Sequence, residues 1–321
     1  MLYSKIQGID KKVSRLLEGV MWLRGKEDSF IFDALDYMYE NGLQSFDTAH
    51  VYGEATESLL GRWIQARGNR NEVVILAKGA HHNSDGSRVT PEAISTDMQD
   101  SMNRIQTDYL DMYVLHRDDP TLPVGPIVEC LNEHVKSGRI GAFGGSNWSY
   151  QRIAEANNYA KENNLIPFAL SSPCFNMVDQ VDEPWENCIS IGGESGKESR
   201  AWYAKEELPL FCWSSLAGGF LTGEYHRDTP SDSDDNQIKM VMRCYGTEEN
   251  FERLDRAKEL AKEKEATLPQ IALSYVLSQN LNTFALIGCA NKEQFDDNYK
   301  AFEIELSASE IDYLDLKTEK V

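Results

Sequence analysis

The chain has 321 residues, enough for one large barrel or two ordinary domains, and its 41% hydrophobic and 10% aromatic content supports a packed core. Its 52 acidic and 32 basic residues leave a formal net charge of -20, a surface that repels phosphate backbones and anionic lipid headgroups. Nucleic-acid and membrane-surface partners are therefore disfavoured, and any anionic ligand must be held by local donors against the global field.

Six cysteines, at 130, 174, 188, 212, 244 and 289, form no C-x-x-C pair and suit neither a zinc site nor a disulfide framework, so no metal is expected. The opening MLYSKIQGIDKKVSRLL is punctuated by charge and lacks the apolar core of a signal peptide. Nowhere does an apolar run reach the ~18 residues of a membrane span. The expectation is a cytoplasmic chain with reduced thiols.

In chain order, the first segment reads as a hairpin turning at Gly8, Ile9 and Asp10. Strands are expected at 18–21, 45–47, 73–78, 110–115, 142–146, 168–172, 210–213 and 284–287. Helical periodicity lies between them at 29–40, 57–67, 91–105, 127–137, 150–163, 251–264 joined to 269–279, and 292–301. Thr90 before Pro91, Thr267 ahead of Pro269, and the capping-box spacing of Ser307 and Glu310 mark three helix starts. Alternation of this kind implies parallel strands with crossover helices, and eight strands favour closure, because a closed sheet has no exposed edge. The expected fold is one (β/α)8 barrel over residues 1–321, floored by the hairpin and followed by an extra C-terminal helix. Long loops run from Pro173 to Glu207 and from Ser214 to about Thr247, both after C-terminal strand ends, where barrel active sites assemble. The acidic tract from Asp228 to Asn236 is expected to be the least ordered.

Asp47 closes the second strand and Tyr52 follows it; Lys78 ends the third, and His116 ends the fourth. In a barrel these four groups converge at one rim. An ammonium beside a phenol stabilises the phenolate and lowers the tyrosine pKa, while a carboxylate keeps the lysine charged. An imidazole can donate to a substrate oxygen as negative charge builds there, and the phenol can supply or remove the proton. Taken singly, each is an ordinary cap, surface or core residue; together they describe acid–base chemistry at a carbonyl.

FDTAHVYGEATESLLGRWI, LAKG, YVLHRDDP and AFGGSNWS, in this order, resemble the signature segments of the aldo-keto reductase superfamily, NAD(P)H-dependent TIM-barrel oxidoreductases. The resemblance extends over essentially the whole chain. It implies the catalytic tetrad Asp47, Tyr52, Lys78 and His116, with Ser146 and Asn147 binding the nicotinamide carboxamide. A third family contact falls on Ser172, in place of the usual glutamine, and the ring-stacking aromatic falls on Trp213. WSSLAGGFLTG resembles the pyrophosphate loop, with Ser214, Leu216 and Gly218 as contacts, although an ordinary glycine turn is the alternative. LIGCANKEQFDDN resembles the adenosine segment, bringing in Gly288, Lys292, Gln294 and Asn298. The family's basic residue two places after that glycine is Ala290 here, so only Lys292 is left to meet a 2′-phosphate. The resemblance favours NADP(H) and leaves NAD(H) open.

On the substrate side, Trp22, Trp148, Trp185, Trp202 and Tyr203 offer ring faces and Arg200 offers a fork. Together they suit a sugar or glycoside carbonyl or alcohol; the alternative is that these rings anchor the long loop to the rim. No G-x-G-x-x-G follows a strand, GESGKES lacks the spacing of a phosphate loop, and His81 with His82 has no third ligand. The expected function is hydride transfer between a nicotinamide and a small-molecule carbonyl or alcohol. A cofactor-binding regulatory or scaffold subunit of the same fold is the alternative, and a homo-oligomer is compatible with either.

Overall fold

Two short strands, β1 (Tyr3–Ser4) and β2 (Val13–Ser14), pair antiparallel around a turn in which Gly8 takes φ +86°. A Cβ at Gly8 would run into the Gly141 carbonyl, so glycine is what lets this turn seat against the barrel base. In the computed structural model, which describes residues 1–321, eight parallel strands follow. They are β3 (Leu16–Gly19), β4 (Ser45–Asp47), β5 (Val74–Gly79), β6 (Leu110–Leu115), β7 (Ile140–Ser146), β8 (Leu170–Ser172), β9 (Leu210–Cys212) and β10 (Thr283–Ile287). They close in the order β10-β3-β4-β5-β6-β7-β8-β9, the (β/α)8 barrel expected from the alternation.

Helices α1 (Asp28–Glu40), α2 (Glu54–Arg67), α3 (Pro91–Ile105), α4 (Val124–Lys136) and α5 (Tyr150–Glu162) cross between the earlier strands. Two more, α6 (Lys197–Glu206) and α7 (Asn236–Tyr245), lie inside the long connections. Helices α8 (Glu248–Glu263), α9 (Leu268–Leu277), α10 (Lys292–Tyr299) and α11 (Ala308–Leu314) complete the chain. The three helix starts are made as expected. Thr90 accepts from Ala93 N–H at α3, and capping boxes form at Thr267 with Gln270 and at Ser307 with Glu310.

The pleat decides what reaches the centre. Leu17, Val74, Leu76, Met112, Val114, Ala142, Leu170, Phe211, Phe284 and Leu286 pack with the hairpin's Ile6, Ile9 and Val13 inside the barrel. Phe46, Ile75, Ala77, Tyr113, Leu115 and Phe143 belong to the outer core between strands and helices. Because the side-chain period is two, the inward positions that follow are Gly19, Asp47, Lys78, His116, Ser146 (one step beyond Gly144), Ser172, Trp213 and Gly288. A ring of polar and small residues thus follows the last apolar layer, all at one rim.

Three expectations are corrected. The first barrel strand is Leu16–Gly19, and Val20–Leu23 is a 3₁₀ turn, because Leu17 fills the interior and the chain bends after Gly19. The long connections are partly helical. On α7, Val241, Met242, Cys244 and Tyr245 are buried, and Asp235, the penultimate residue of the acidic tract, caps the helix by accepting from Gln237 and Ile238 N–H. The helix expected over 292–301 stops at Tyr299 and ends in a 3₁₀ turn, Lys300–Glu303.

At Gly144 a Cβ would meet the Leu170 carbonyl of the neighbouring strand, a backbone group with no room to retreat. Gly144→Ala is therefore expected to lower unfolding free energy by about 1–3 kcal/mol, the usual penalty for overpacking, as read from chemical denaturation midpoints. A wild-type midpoint in that variant would show that β7 and β8 are not so closely apposed.

Candidate active site

At the rim, Lys78 and Asp47 form a buried ion pair, and the Lys78 ammonium also donates to the Thr48 carbonyl at 3.3 Å. The ammonium stands 5.6 Å from the centroid of the Tyr52 ring. Tyr52 is delivered by a single 3₁₀ turn, His50–Tyr52, and its ring meets that of His116 edge-on at 6.3 Å and 84°. His116 is tied in by its own N–H, which donates to the Gly79 carbonyl at 2.7 Å, while its buried Nδ1 has no partner in the chain.

Burial opposes charge on Lys78, yet Asp47 and the Tyr52 phenol outweigh it and hold the lysine above its ordinary value. Burial likewise pushes the Asp47 carboxyl up, against the downward pull of Lys78. Tyr52 departs from the expectation of a lowered phenol: burial raises it above its ordinary 10, and Lys78 only moderates the rise. Burial, reinforced by the positive charges of Lys78 and Arg117, holds His116 well below 6.5, so its ring is neutral at pH 7.

One carboxylate on α3 fastens two of these arms. Asp97, fully buried, accepts from Ala80 N–H at 2.8 Å, two residues beyond Lys78. It is paired with Arg88 and lies 3.6 Å from His50 Nδ1, two residues before Tyr52. His50 Nε2 is also 3.2 Å from Asp100, and Arg104 donates to the His50 carbonyl at 3.0 Å. Ala80 takes a left-handed φ of 59°, a conformation that needs such support in a residue other than glycine. Nothing in the local sequence of α3 announces this role.

The tetrad opens on a cavity of about 620 Å³. Of the expected cofactor contacts, Ser146, Asn147, Trp213, Ser214, Leu216, Gly218 and Gly288 line it. Ser146 Oγ donates to the Ser172 carbonyl at 2.9 Å, and the Asn147 amide donates to the His116 carbonyl at 3.2 Å and accepts from Ile189 N–H at 3.1 Å. Trp213 Nε1 is buried without a partner. Ser214, Ala217, Gly218 and Gly219 take left-handed φ of 52°, 52°, 63° and 101°, and all but Ala217 line the cavity. These features fit a nicotinamide dinucleotide, with the unpartnered Trp213 indole and the glycine turn at Gly218 on one cavity wall.

Other expected contacts stand apart from the cavity. Ser172 is fully buried, its hydroxyl donating to the Phe211 carbonyl. Gln294 folds back to accept from Ala290 N–H, and Asn298 is buried, donating to Cys289 Sγ at 3.2 Å. Lys292 is exposed, with its ammonium 5.0 Å from the Tyr37 ring. On the substrate side, Trp22 and Trp185 line the cavity, with Trp185 6.4 Å from Trp213. Trp148, Arg200 and Trp202 do not. Trp148 is buried against Phe168 and donates to the Arg117 carbonyl, while Arg200 donates to the Ile191 and Gly193 carbonyls. Trp202 packs between Tyr150 and Tyr203, and the Tyr203 hydroxyl is hydrogen-bonded to Ser171. For these residues the anchoring alternative describes the structure. Sequence reasoning missed Met21, Arg117, Cys188 and Gln237 on the cavity wall; only Arg117, directly after His116, carried a positional hint. No helix is long and apolar enough to cross a membrane.

Residues 16–319 match the model of the aldo/keto reductase family. The chain is 26% identical over 320 residues to an uncharacterized oxidoreductase, YrpG, of Bacillus subtilis, covering 95% of this chain and 92% of that one. It is 29% identical over 331 residues to norsolorinic acid reductase of Emericella nidulans, covering 96% and 78% respectively. In fold it is similar to a crystal structure of a thermostable aldo-keto reductase in complex with the inhibitor epalrestat, with TM-score 0.75, 22% identity and coverage of 99% and 100%. The chain belongs to the aldo/keto reductase family, and it is an oxidoreductase acting on carbonyl or alcohol groups with a nicotinamide cofactor.

Proposed function

We propose that this protein reduces the carbonyl of a small molecule with a largely apolar, aromatic or alicyclic body, using Tyr52 as the proton donor. The observation that carries this reading is the buried Asp47–Lys78 ion pair beside Tyr52, with neutral His116 across the ring, all facing one cavity. When bound, reduced nicotinamide supplies the hydride that makes the new C–H bond, and the carbonyl π pair moves onto oxygen. His116 offers that oxygen a hydrogen bond as charge develops. Tyr52 gives it the phenolic proton, and Lys78, kept charged by Asp47, stabilises the phenolate left behind. Ser146 and Asn147 would hold the carboxamide, Trp213 would offer its ring face to the nicotinamide, and the Ser214–Gly218 turn would offer its backbone to the pyrophosphate.

The apolar substrate follows from the wall: Met21, Trp22, Trp185 and Ile287 face the cavity, whereas the guanidinium of Arg200 is already bound to two carbonyls. The sugar or glycoside reading thereby loses Arg200 as its fork and keeps the ring faces of Trp22 and Trp185. NADP(H) is the preferred cofactor, held at its 2′-phosphate by the exposed Lys292 alone, so that discrimination against NAD(H) is weak.

Tyr52→Phe is expected to reduce turnover by at least about a hundredfold, while fluorescence titration shows unchanged NADPH affinity. Full turnover in that variant would remove Tyr52 from the chemistry. A wild-type chain that binds cofactor yet reduces no carbonyl across a broad panel would favour the binding-subunit alternative.

The pH profile has a definite sign. Tyr52 must be protonated and His116 neutral for reduction, so kcat/KM should stay level between pH 6.5 and 10. Alcohol oxidation needs the phenolate and should climb across the same interval. An acid limb near 6.5 in reduction would mean that His116 is charged. Lys292→Ala should weaken NADPH binding by no more than about fivefold, as for an exposed ion pair, and leave NADH binding unchanged. A larger loss would place a stronger phosphate site at Lys292.

A further inference from the structure

The last outward position of β3 holds a carboxylate that nothing above employs. Glu18 is fully buried, with no lysine, arginine or histidine paired to it. Its Oε1 accepts two hydrogen bonds, from Trp22 Nε1 at 2.6 Å and from Cys289 N–H at 2.8 Å. Oε2 has no partner. A carboxylate with one oxygen left without a partner in a packed barrel wall is costly, and an apolar residue of its size would fill the same space. Its two donors are what give it significance. Trp22 is on the cavity wall, whereas Cys289 directly follows Gly288, which lines the same cavity at the start of the turn into α10. The thread continues, since Asn298 on α10 donates to Cys289 Sγ at 3.2 Å.

We infer that Glu18 is a positioning residue that ties the Trp22 indole of the substrate wall to the β10–α10 turn of the cofactor side, so that binding of the two ligands is coupled through one buried acceptor. The inference rests on the redox reading of the cavity and goes beyond it. Burial pushes the Glu18 carboxyl up to about 8, so at neutral pH it is mainly uncharged and still accepts both bonds through Oε1. Glutamine reproduces that neutral form; leucine keeps the volume and leaves the Trp22 and Cys289 N–H groups unpartnered.

The test compares Glu18→Gln, Glu18→Leu and Trp22→Phe by NADPH fluorescence titration and by steady-state kinetics with one carbonyl substrate. Glu18→Leu should weaken NADPH binding and raise the substrate KM by about tenfold each, since each loses a buried acceptor, with kcat nearly unchanged. Glu18→Gln should restore both to within about twofold of wild type, because its amide oxygen still accepts both donors. Trp22→Phe should raise KM, and combining it with Glu18→Leu should add nothing further, because both remove the same bond. Wild-type affinities in Glu18→Leu, equal losses in Glu18→Gln, or additive losses in the double variant would each overturn the inference. If Glu18→Leu does not fold, Trp22→Phe decides: weaker NADPH binding beside the raised KM supports the coupling, and unchanged NADPH affinity contradicts it. A wild-type chain that binds no NADPH would instead sink the redox reading itself, and the coupling with it.

Discussion

Everything at this site depends on a positive charge kept inside a protein wall. Burial by itself pulls the Lys78 pKa down and favours the neutral amine, which would lack the charge that stabilises a neighbouring phenolate. Asp47 prevents this. The pair is reached by little solvent, so the ammonium's field falls on Tyr52 and is not dispersed into water. Its influence is nonetheless bounded: the phenol remains above its ordinary value because its own burial is the larger effect. That balance suits the proton donor proposed for this site, which has to stay protonated until charge develops on the substrate.

The register of the sheet makes the pair. Leu76 and Lys78, Met112, Val114 and His116, and Ala142 and Ser146 lie on single inward rows, so an apolar plug and a polar rim are parts of one alternating pattern. A one-residue slip in any strand would send its rim residue into the helical layer and bring an outward residue to the rim. The close contacts at Gly144 and Gly8 help to fix that register, and Asp97 fixes the ends of the two arms that lie beyond the sheet.

Much of this was legible in the chain. Strands such as LDMYVL carry both the apolar row and the residue that follows it, so the barrel and the meeting of Asp47, Tyr52, Lys78 and His116 at one rim follow from period and order, whereas the cofactor wall follows only from the resemblance to a known family. What was not legible depends on distant partners. Glu18 reads as one more strand residue until the frame of β3 turns it outward and the turn at Cys289 arrives from the far end of the chain. Trp148 and Trp202 look like binding aromatics in the sequence, and only tertiary packing shows that Phe168 and Tyr203 already occupy their faces. Arg200 illustrates the same point, for its fork is satisfied by carbonyls of its own loop. The helix α7 was missed for a different reason: its cap and apolar face are explicit, but the acidic tract before it draws the eye to disorder.

The central claim is that the Lys78 charge is what restrains the Tyr52 phenol. It is tested most directly by titrating that phenol spectrophotometrically, as the difference between the chain and its Tyr52→Phe variant, with and without Lys78→Met in both. Removing the ammonium should move the ionisation upward by about one pH unit or more, as expected when an opposite charge within contact range is lost. An unchanged midpoint would show that Lys78 does not act on Tyr52, and the chemistry assigned to this rim would have no basis.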